Sequence, residues 1–204
     1  MVSSEGRAAA DRPAVVVTGM GLITPIGIGL EATWASLMAG RSGVGPISRF
    51  DPAAFKVHIA AEVRDFDARD FMEAREARRL DRLVQFAVAG TSQALAQAGL
   101  SVAACDTERV GVLIGTGVGG FETIQTGFED LLARGPNRVN PLTGAMMLPD
   151  MAAGYVAIVH GAQGPNHCVS AACATGSMAV GEAAAVIRRG DADVMIAGAV
   201  EAGI

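Results

Sequence analysis

The stretch Asn166-His-Cys-Val-Ser-Ala-Ala-Cys-Ala-Thr-Gly-Ser-Met178 places a cysteine between a short apolar run and a helix-forming segment. A Gly-Pro turn signal precedes it, so His167 to Val169 is predicted to be a buried strand. Residues 174–189 are rich in alanine and other helix formers and are followed by a glycine, which predicts a helix. Cys173 is therefore expected in the first turn of that helix.

The N-terminal end of a helix is a chemically useful place for a thiol. Its free N–H groups carry a partial positive charge, which favours a thiolate and can hold a developing oxyanion. The residues on both sides of Cys173 are small and would leave room for a substrate beside the sulfur. A lone cysteine is, however, more often a small buried hydrophobic residue, and placement alone does not decide between the two interpretations.

Three further motifs stand in order along the chain. They are Val15-Val-Val-Thr-Gly-Met-Gly-Leu-Ile-Thr-Pro-Ile-Gly27, the glycine loop Gly115-Thr-Gly-Val-Gly-Gly120, and Gly190-Asp-Ala-Asp-Val-Met-Ile-Ala-Gly198. Together with Ser170-Ala-Ala-Cys-Ala-Thr-Gly176 they resemble the β-ketoacyl-acyl carrier protein synthases, in particular the elongating type of fatty-acid synthesis. The resemblance implies a thiolase-like layered α/β/α/β/α architecture, of which this chain would supply the N-terminal α/β half.

The resemblance also implies a mechanism, in which Cys173 takes an acyl group from its carrier thioester. Malonyl carrier protein then loses carbon dioxide, and its carbanion attacks the acyl-enzyme to give a 3-oxoacyl product. The thioester keeps the acyl group reactive while the carriers exchange, and the N–H of Cys173 would be one oxyanion donor. No cofactor and no metal are implied.

In this family two histidines, a lysine and a glycine-rich segment bearing a phenylalanine come from the second half. None of His58, His160 and His167 sits in a matching motif, and His167 is interpreted as structural. The first half alone is therefore expected to be inactive. Whether the chain is a fragment, a split gene or a truncation stays open at this point.

The glycine loop admits a second interpretation. It follows a predicted strand at 110–114 and precedes a predicted helix at 121–133, which is the context of a dinucleotide-binding fingerprint. A dinucleotide-dependent oxidoreductase therefore stays as an alternative, although no second strand ending in an acid follows. In the synthases the loop borders the acyl pocket, which implies that Val118 limits chain length while Gly117 and Gly119 allow close approach to the substrate.

A group of arginines marks the start of an amphipathic segment, residues 74–98, which is predicted to be one helix. On charge alone, a solvated face and a docking surface are equally good explanations. The resemblance favours docking, because the corresponding basic positions of the family receive the acidic acyl carrier protein. It maps onto Arg75, Arg78 and Arg79, with Arg82 the fourth member of the basic cluster.

Composition excludes several other classes. The chain has 204 residues, is 50% hydrophobic and 18% charged, and carries a net charge of −5, which argues against a nucleic-acid binder. Three unpaired cysteines and the lack of an apolar run of about 18 residues favour a cytoplasmic protein without a membrane span. We expect a disordered tail at 1–13 and one synthase domain at 14–204.

Alternating apolar strands and helices complete an α/β pattern with a sheet covered on both faces. The pattern predicts a buried parallel strand at 14–18 and a final buried strand at 191–199. It predicts helices at 31–39 and 151–160, and a loop-rich segment at 41–70. The apolar segment 141–149 is either ordinary core or, by resemblance, part of a homodimer interface near the acyl pocket.

Two alternatives stay open within the family. One is a polyketide-type ketosynthase, which would use the same nucleophile. The other is a catalytically silent subunit that pairs with a complete synthase and shapes its pocket. The presence of Cys173 argues against the silent subunit, because such a partner has no need of a thiol there.

Overall fold

The computed structural model describes residues 14–204, so the tail predicted for 1–13 lies outside the described residues. Within that range the chain forms seven strands and seven α-helices. The strands are β1 (Ile23–Thr24), β2 (Gly27–Ile28), β3 (Val44–Pro46), β4 (Ile59–Ala61), β5 (Val110–Gly115), β6 (Asn166–His167) and β7 (Val194–Ala199). The helices are α1 (Leu30–Met38), α2 (Ala74–Ala77), α3 (Arg82–Ala98), α4 (Phe121–Arg134), α5 (Thr143–Met146), α6 (Met151–His160) and α7 (Thr175–Arg189).

The central sheet is parallel and has the order β6-β5-β7. β5 pairs with β7 along its whole length, from Val110 opposite Val194 to Gly115 opposite Ala199. All six residues of β5 are buried, as expected for a strand with a neighbour on each side and helices on both faces. The α/β class inferred from the sequence is confirmed.

Helices cover the two faces of this sheet. Val112 and Ile114, which alternate along β5, join a core cluster with buried residues of α3 and α6. α7 contacts β5 and β7, and it connects β6 to β7 by passing over β5. The connection from β5 to β6 and the connection from β6 to β7 cross the sheet in opposite directions. Because right-handed crossovers in opposite directions place their helices on opposite faces, α7 covers the face away from α6.

The strand predicted for 14–18 does not form. These residues pair with no strand among the described residues, and the side chains of Val16 and Val17 are each 73% exposed. A β-branched run favours extended backbone, but a strand also requires a neighbour that completes its hydrogen bonds. The prediction of a buried parallel strand at this position was wrong for the chain as it stands.

The residues that follow are attached to α3 instead. The backbone N–H of Met20 donates to Oε1 of Gln97 at 2.7 Å, and that of Leu22 donates to Oε1 of Gln93 at 3.0 Å. A Cβ atom at Gly21 would collide with the backbone of α3, so only glycine permits this close approach.

The single helix predicted for 74–98 is two helices, α2 and α3. The break occurs because the carboxylate of Asp81 caps α3, where its Oδ1 accepts the N–H of Leu83 at 2.9 Å. A capping aspartate ends the preceding turn as well as starting the next helix. The arginines at 78 and 79 therefore lie at and just beyond the end of α2.

The loop-rich segment 41–70 contains an antiparallel hairpin that the sequence pattern did not predict. β3 pairs with β4, with Val44 opposite Ala61. The buried carboxylate of Glu62 accepts hydrogen bonds from the N–H and Oγ of Ser48 at 2.9 and 2.7 Å. These bonds favour the charged form and lower the pKa of Glu62.

The edge strands are shorter and more exposed than predicted. β6 covers Asn166–His167, both exposed, where a buried strand at His167–Val169 was expected. β7 starts at Val194, three residues later than predicted, and two of its six residues are exposed. The helices predicted at 31–39, 121–133, 151–160 and 174–189 are confirmed to within a residue at each end.

Candidate active site

Cys173 lies in the turn that connects β6 to α7. A single 3-10 turn, Ala172–Ala174, leads directly into α7, which begins at Thr175. The side chain of Cys173 is exposed. The thiol therefore stands at the N-terminal end of a 15-residue helix, where the free N–H groups favour an anion.

The backbone just before Cys173 is strained. Ala172 has a φ of +48°, and it is the one non-glycine residue with positive φ in the range 14–204. The left-handed conformation costs an alanine about 1 to 2 kcal/mol. Such strain persists only where the surrounding contacts fix it, and it is frequent at active sites.

Thr175 supplies the contacts that fix this turn. Its buried hydroxyl accepts the N–H of Ala171 at 2.8 Å and donates to the carbonyl oxygen of Ala172 at 2.7 Å. One hydroxyl thus closes the turn on both sides of the strained residue. Sequence reasoning treated this threonine only as part of a motif, and no periodicity or charge signal marks its role.

The glycine loop lies beside the cysteine turn. A Cβ atom at Gly115, the last residue of β5, would collide with the methyl group of Thr175 and with the carbonyl oxygen of Val169. Oγ of Ser170 donates to the carbonyl oxygen of Gly117 at 3.4 Å. The structure therefore brings together the two motifs that lie more than fifty residues apart in the sequence.

Within the loop, Val118 is half-exposed and Gly119 is buried. Gly119 has a φ of +100°, and a Cβ atom there would lie 2.6 Å from the carbonyl oxygen of Met147. Only glycine combines this backbone conformation with so close a neighbour. Val118 is thus presented to solvent on a rigid turn.

Arg75, Arg78 and Arg79 are all exposed, at and just after α2. Arg82 differs from them, because its guanidinium lies over the rings of Phe86 and Phe66 at 4.7 and 5.6 Å from their centroids. Burial lowers the pKa of Arg82. The exposed basic cluster therefore has three members rather than four.

One carboxylate links this arginine segment to the glycine loop. Besides capping α3, Asp81 accepts through Oδ2 the N–H and Oγ of Thr123 at 3.0 and 2.8 Å. Thr123 is in the first turn of α4, the helix that follows the loop. Asp81 is 97% buried, so the two helix starts share one cap.

The other two thiols have different environments. Cys168, predicted to lie within a buried strand, follows β6 and is half-buried, and burial raises its pKa. Sγ of Cys105 donates to the carbonyl oxygen of Ser101 at 3.5 Å in a surface turn. Among residues 14–204 no cluster of ligating side chains could hold a metal ion, and no helix is long and apolar enough to cross a membrane.

The histidines lie on separate elements. His58 precedes β4, and its Nε2 lies 2.7 Å from the carbonyl oxygen of Phe55. His160 ends α6, where burial lowers its pKa, and His167 is exposed on β6.

Comparison with known proteins decides the family. The family model described as "Beta-ketoacyl synthase, N-terminal domain" matches residues 12–204. The chain belongs to this family. The resemblance seen in the sequence is confirmed. The dinucleotide alternative loses its support, because after α4 the chain continues with two more helices before β6.

The chain is 43% identical over 190 residues to a 3-oxoacyl-[acyl-carrier-protein] synthase 2 of Staphylococcus aureus, a match that covers 93% of this chain and 46% of the relative. The chain thus spans about half the length of the curated relatives it matches. Among solved structures, the ishigamide ketosynthase/chain length factor is 32% identical with a TM-score of 0.87, covering 94% of this chain and 48% of that one. The thiolase-like fold of the N-terminal half is confirmed.

A second solved structure is a type II PKS acyl-carrier protein in complex with its ketosynthase bound to the hexaketide. It is 25% identical with a TM-score of 0.76, and the match covers 90% of this chain and 49% of that chain.

Proposed function

We propose that this chain supplies the nucleophile of a 3-oxoacyl-[acyl-carrier-protein] synthase that acts in fatty-acid elongation. The observation that carries the proposal is the exposed Cys173 in a strained turn at the N-terminal end of α7. The identity of 43% to a 3-oxoacyl-[acyl-carrier-protein] synthase 2 supports the reaction type.

In the first proposed step, the Cys173 thiolate attacks the carbonyl carbon of an acyl thioester. The tetrahedral oxyanion accepts a hydrogen bond from the N–H of Cys173, and the carrier thiolate leaves and takes up a proton. In the second step malonyl carrier protein loses carbon dioxide, and the electron pair of the broken bond forms an enolate. Its carbon attacks the acyl-enzyme, a carbon–carbon bond forms, and the Cys173 thiolate is released.

The glycine loop is proposed to line the acyl pocket. Gly119 keeps the loop close to the main chain at Met147, and the carbonyl oxygen of Gly117 accepts a hydrogen bond from Ser170 of the cysteine turn, with Val118 between the two glycines. In an assembled enzyme, by which we mean residues 1–204 together with the second half that the relatives possess, Val118→Phe should shorten the longest acyl chain accepted. Each excluded methylene forfeits about 0.8 kcal/mol of burial. An unchanged product distribution would place the loop elsewhere.

Arg75, Arg78 and Arg79 are proposed to dock an acidic acyl carrier protein. Their exposure supports this role, as does the solved ketosynthase that binds its acyl-carrier protein. Charge reversal at the three positions should raise the KM for carrier-bound substrates far more than for acyl-coenzyme A analogues, and less so at high salt. Equal losses on both substrate types would indicate a folding defect or another docking face.

We further propose a cytoplasmic homodimer, with no cofactor and no metal in the reaction. Support for a dimer comes from the segment 141–149, whose apolar side chains are partly exposed: Leu142 48%, Met147 37% and Leu148 43%. Exposed apolar patches of this kind mark interfaces between protein chains.

A polyketide-type ketosynthase is the second candidate, favoured by the likeness of this chain to the ketosynthase solved with a type II PKS acyl-carrier protein. The higher identity of the fatty-acid relative favours elongation. The test is condensation of acyl and malonyl carrier proteins by the assembled enzyme, compared with residues 1–204 alone. We expect 3-oxoacyl product only from the assembled enzyme, and self-association of the chain alone; condensation by a well-folded 204-residue chain would contradict the proposed mechanism.

A further inference from the structure

Both main-chain polar groups of Gly117, its N–H and its carbonyl oxygen, form hydrogen bonds to side chains. Its N–H donates to Oε2 of Glu201 at 2.7 Å, and its carbonyl oxygen accepts Oγ of Ser170 at 3.4 Å. Ser170 lies three residues before Cys173, and Glu201 lies two residues beyond the end of β7. The residue before Val118 is thus fixed between the cysteine turn and the segment after the last strand.

Thr116 extends this arrangement through the loop. Its buried hydroxyl donates to Oε2 of Glu201 at 3.1 Å and accepts the N–H of Gly119 at 3.2 Å. One hydrogen bond therefore joins Thr116 and Gly119 within the loop. Two more, from Thr116 and Gly117, attach the loop to the same carboxylate oxygen of Glu201. Hydrogen bonds to a charged acceptor are stronger than those between neutral groups.

The backbone brings Glu201 to this position. Pairing between β5 and β7 continues past the sheet, because the N–H of Val200 donates to the carbonyl oxygen of Gly115 at 3.0 Å. A Cβ atom at Gly117 would lie only 2.9 Å from Oε2 of Glu201, so a larger residue here would displace the carboxylate from its present position. Sequence and register together place a carboxylate against the start of the loop.

We propose that Glu201 is a positioning residue, which fixes Val118 relative to Cys173 and thereby sets the longest acyl group that the enzyme accepts. The proposal rests on the proposed function, in which Val118 limits the acyl pocket. Without the carboxylate, Gly117 retains only its bond to Ser170, and residues 116–119 gain freedom. The side chain of Val118 can then move aside for longer acyl chains. The cysteine turn stays in place, because its hydrogen bonds to Thr175 are unaffected.

The experiment compares Glu201→Ala, Glu201→Gln and the control Glu182→Ala in the assembled enzyme. Glu182 is an exposed carboxylate on α7. Two quantities are measured: the ratio of kcat/KM for a long and a short acyl primer, and hydrogen exchange of the peptide that contains residues 115–120.

For Glu201→Ala we expect exchange of the Gly117 amide to quicken by about tenfold, the equivalent of one lost hydrogen bond. The long-to-short ratio should rise several-fold, with little change for the short primer. Glu201→Gln, whose amide oxygen can still accept the Gly117 N–H, should be intermediate, and Glu182→Ala should match the unaltered enzyme.

A Glu201→Ala enzyme that matches Glu182→Ala in both exchange and primer ratio overturns the proposal. Val118→Phe, measured beside it, separates the two possible failures. If Val118→Phe changes chain-length selectivity and Glu201→Ala does not, only the role of Glu201 is wrong. If Val118→Phe has no effect either, the acyl-pocket assignment itself is wrong, and the role of Glu201 falls with it.

Discussion

Two valine-rich segments of this chain, residues 14–18 and β5, have similar side chains and opposite environments. Both are rich in β-branched residues and lead into glycines. In β5 every residue is buried, and Val112 is 0% exposed, whereas Val16 and Val17 are 73% exposed. β5 has β6 on one side and β7 on the other, while 14–18 pairs with no strand among the described residues.

The difference shows what a strand requires. Side-chain preference favours extended backbone, but the N–H and C=O groups of a buried strand must find partners. β5 finds them on both sides. The segment 14–18 has only its glycine-rich end attached to α3, so its valines stay in solvent; in the assembled enzyme we expect them to be covered by the second half.

The same substitution in the two segments should therefore have very different effects. Val112→Asp places a charge among the core residues of α3, α6 and the sheet, and should cost about 4 kcal/mol or more in the free energy of unfolding. Val17→Asp should change it by less than about 0.5 kcal/mol. Urea unfolding of the 204-residue chain at low concentration measures both.

Equal destabilisation by the two aspartates would show that 14–18 is packed as β5 is. In the assembled enzyme the comparison should change, because Val17→Asp should then weaken association of the two halves, measured by their co-purification.

The sequence predicted β5 and the helices well, since their apolar residues recur at the spacing of the element that buries them. It could not predict that residues 14–18 form no strand, because strand formation there depends on a neighbouring strand, which no local sequence pattern encodes. The break before α3 was missed because the cap at Asp81 lies inside a continuous apolar period. At the candidate site, the motif predicted Cys173 as the nucleophile. The contacts of Asp81 and Glu201 join segments that are distant in the sequence, and the local bonds of Thr175 follow no periodicity or charge pattern, so none of these contacts could be predicted.

One added methyl group at Gly21 should disrupt the packing of residues 19–22 on α3. Gly21→Ala should destabilise the chain by about 1 to 3 kcal/mol, because its Cβ atom collides with the backbone of α3. Gly144→Ala is the matched control: this residue is in α5, and no atom of residues 14–204 lies near its Cβ position, so the change should be neutral or slightly stabilising. Equal effects of the two changes would mean that residue 21 does not pack on α3.

A smaller effect is expected from the two glutamines that hold the same segment. Gln93→Ala and Gln97→Ala each remove one acceptor of a backbone N–H, and should cost about 0.5 to 1.5 kcal/mol each. Gln125→Ala is the control, since among the described residues that side chain bonds only to Glu129, on the exposed face of α4. Hydrogen exchange at Met20 and Leu22 should increase in the first two variants; protection unchanged from the Gln125→Ala level would rule out these bonds.

Two cysteines differ in burial as the two valine segments do. The test of this difference is chemical labelling, which requires no substitution. Cys173 is exposed, whereas burial raises the pKa of Cys168 and keeps it a neutral thiol at neutral pH. Iodoacetamide should therefore label Cys173 first at neutral pH, and labelling of Cys168 should rise only as the pH passes above the ordinary thiol range. Peptide mapping measures both, and earlier labelling of Cys168 would reverse the assignment of the nucleophile.

The acyl-enzyme shows directly which residue is the nucleophile. The assembled enzyme is incubated with an acyl carrier protein thioester without malonyl donor, digested, and analysed by mass spectrometry. We expect one acyl group, on the peptide that contains Cys173, and none in Cys173→Ala, which should also lose 3-oxoacyl synthesis when malonyl carrier protein is added. An acyl group on another residue, or condensation that survives Cys173→Ala, would show that Cys173 is not the nucleophile.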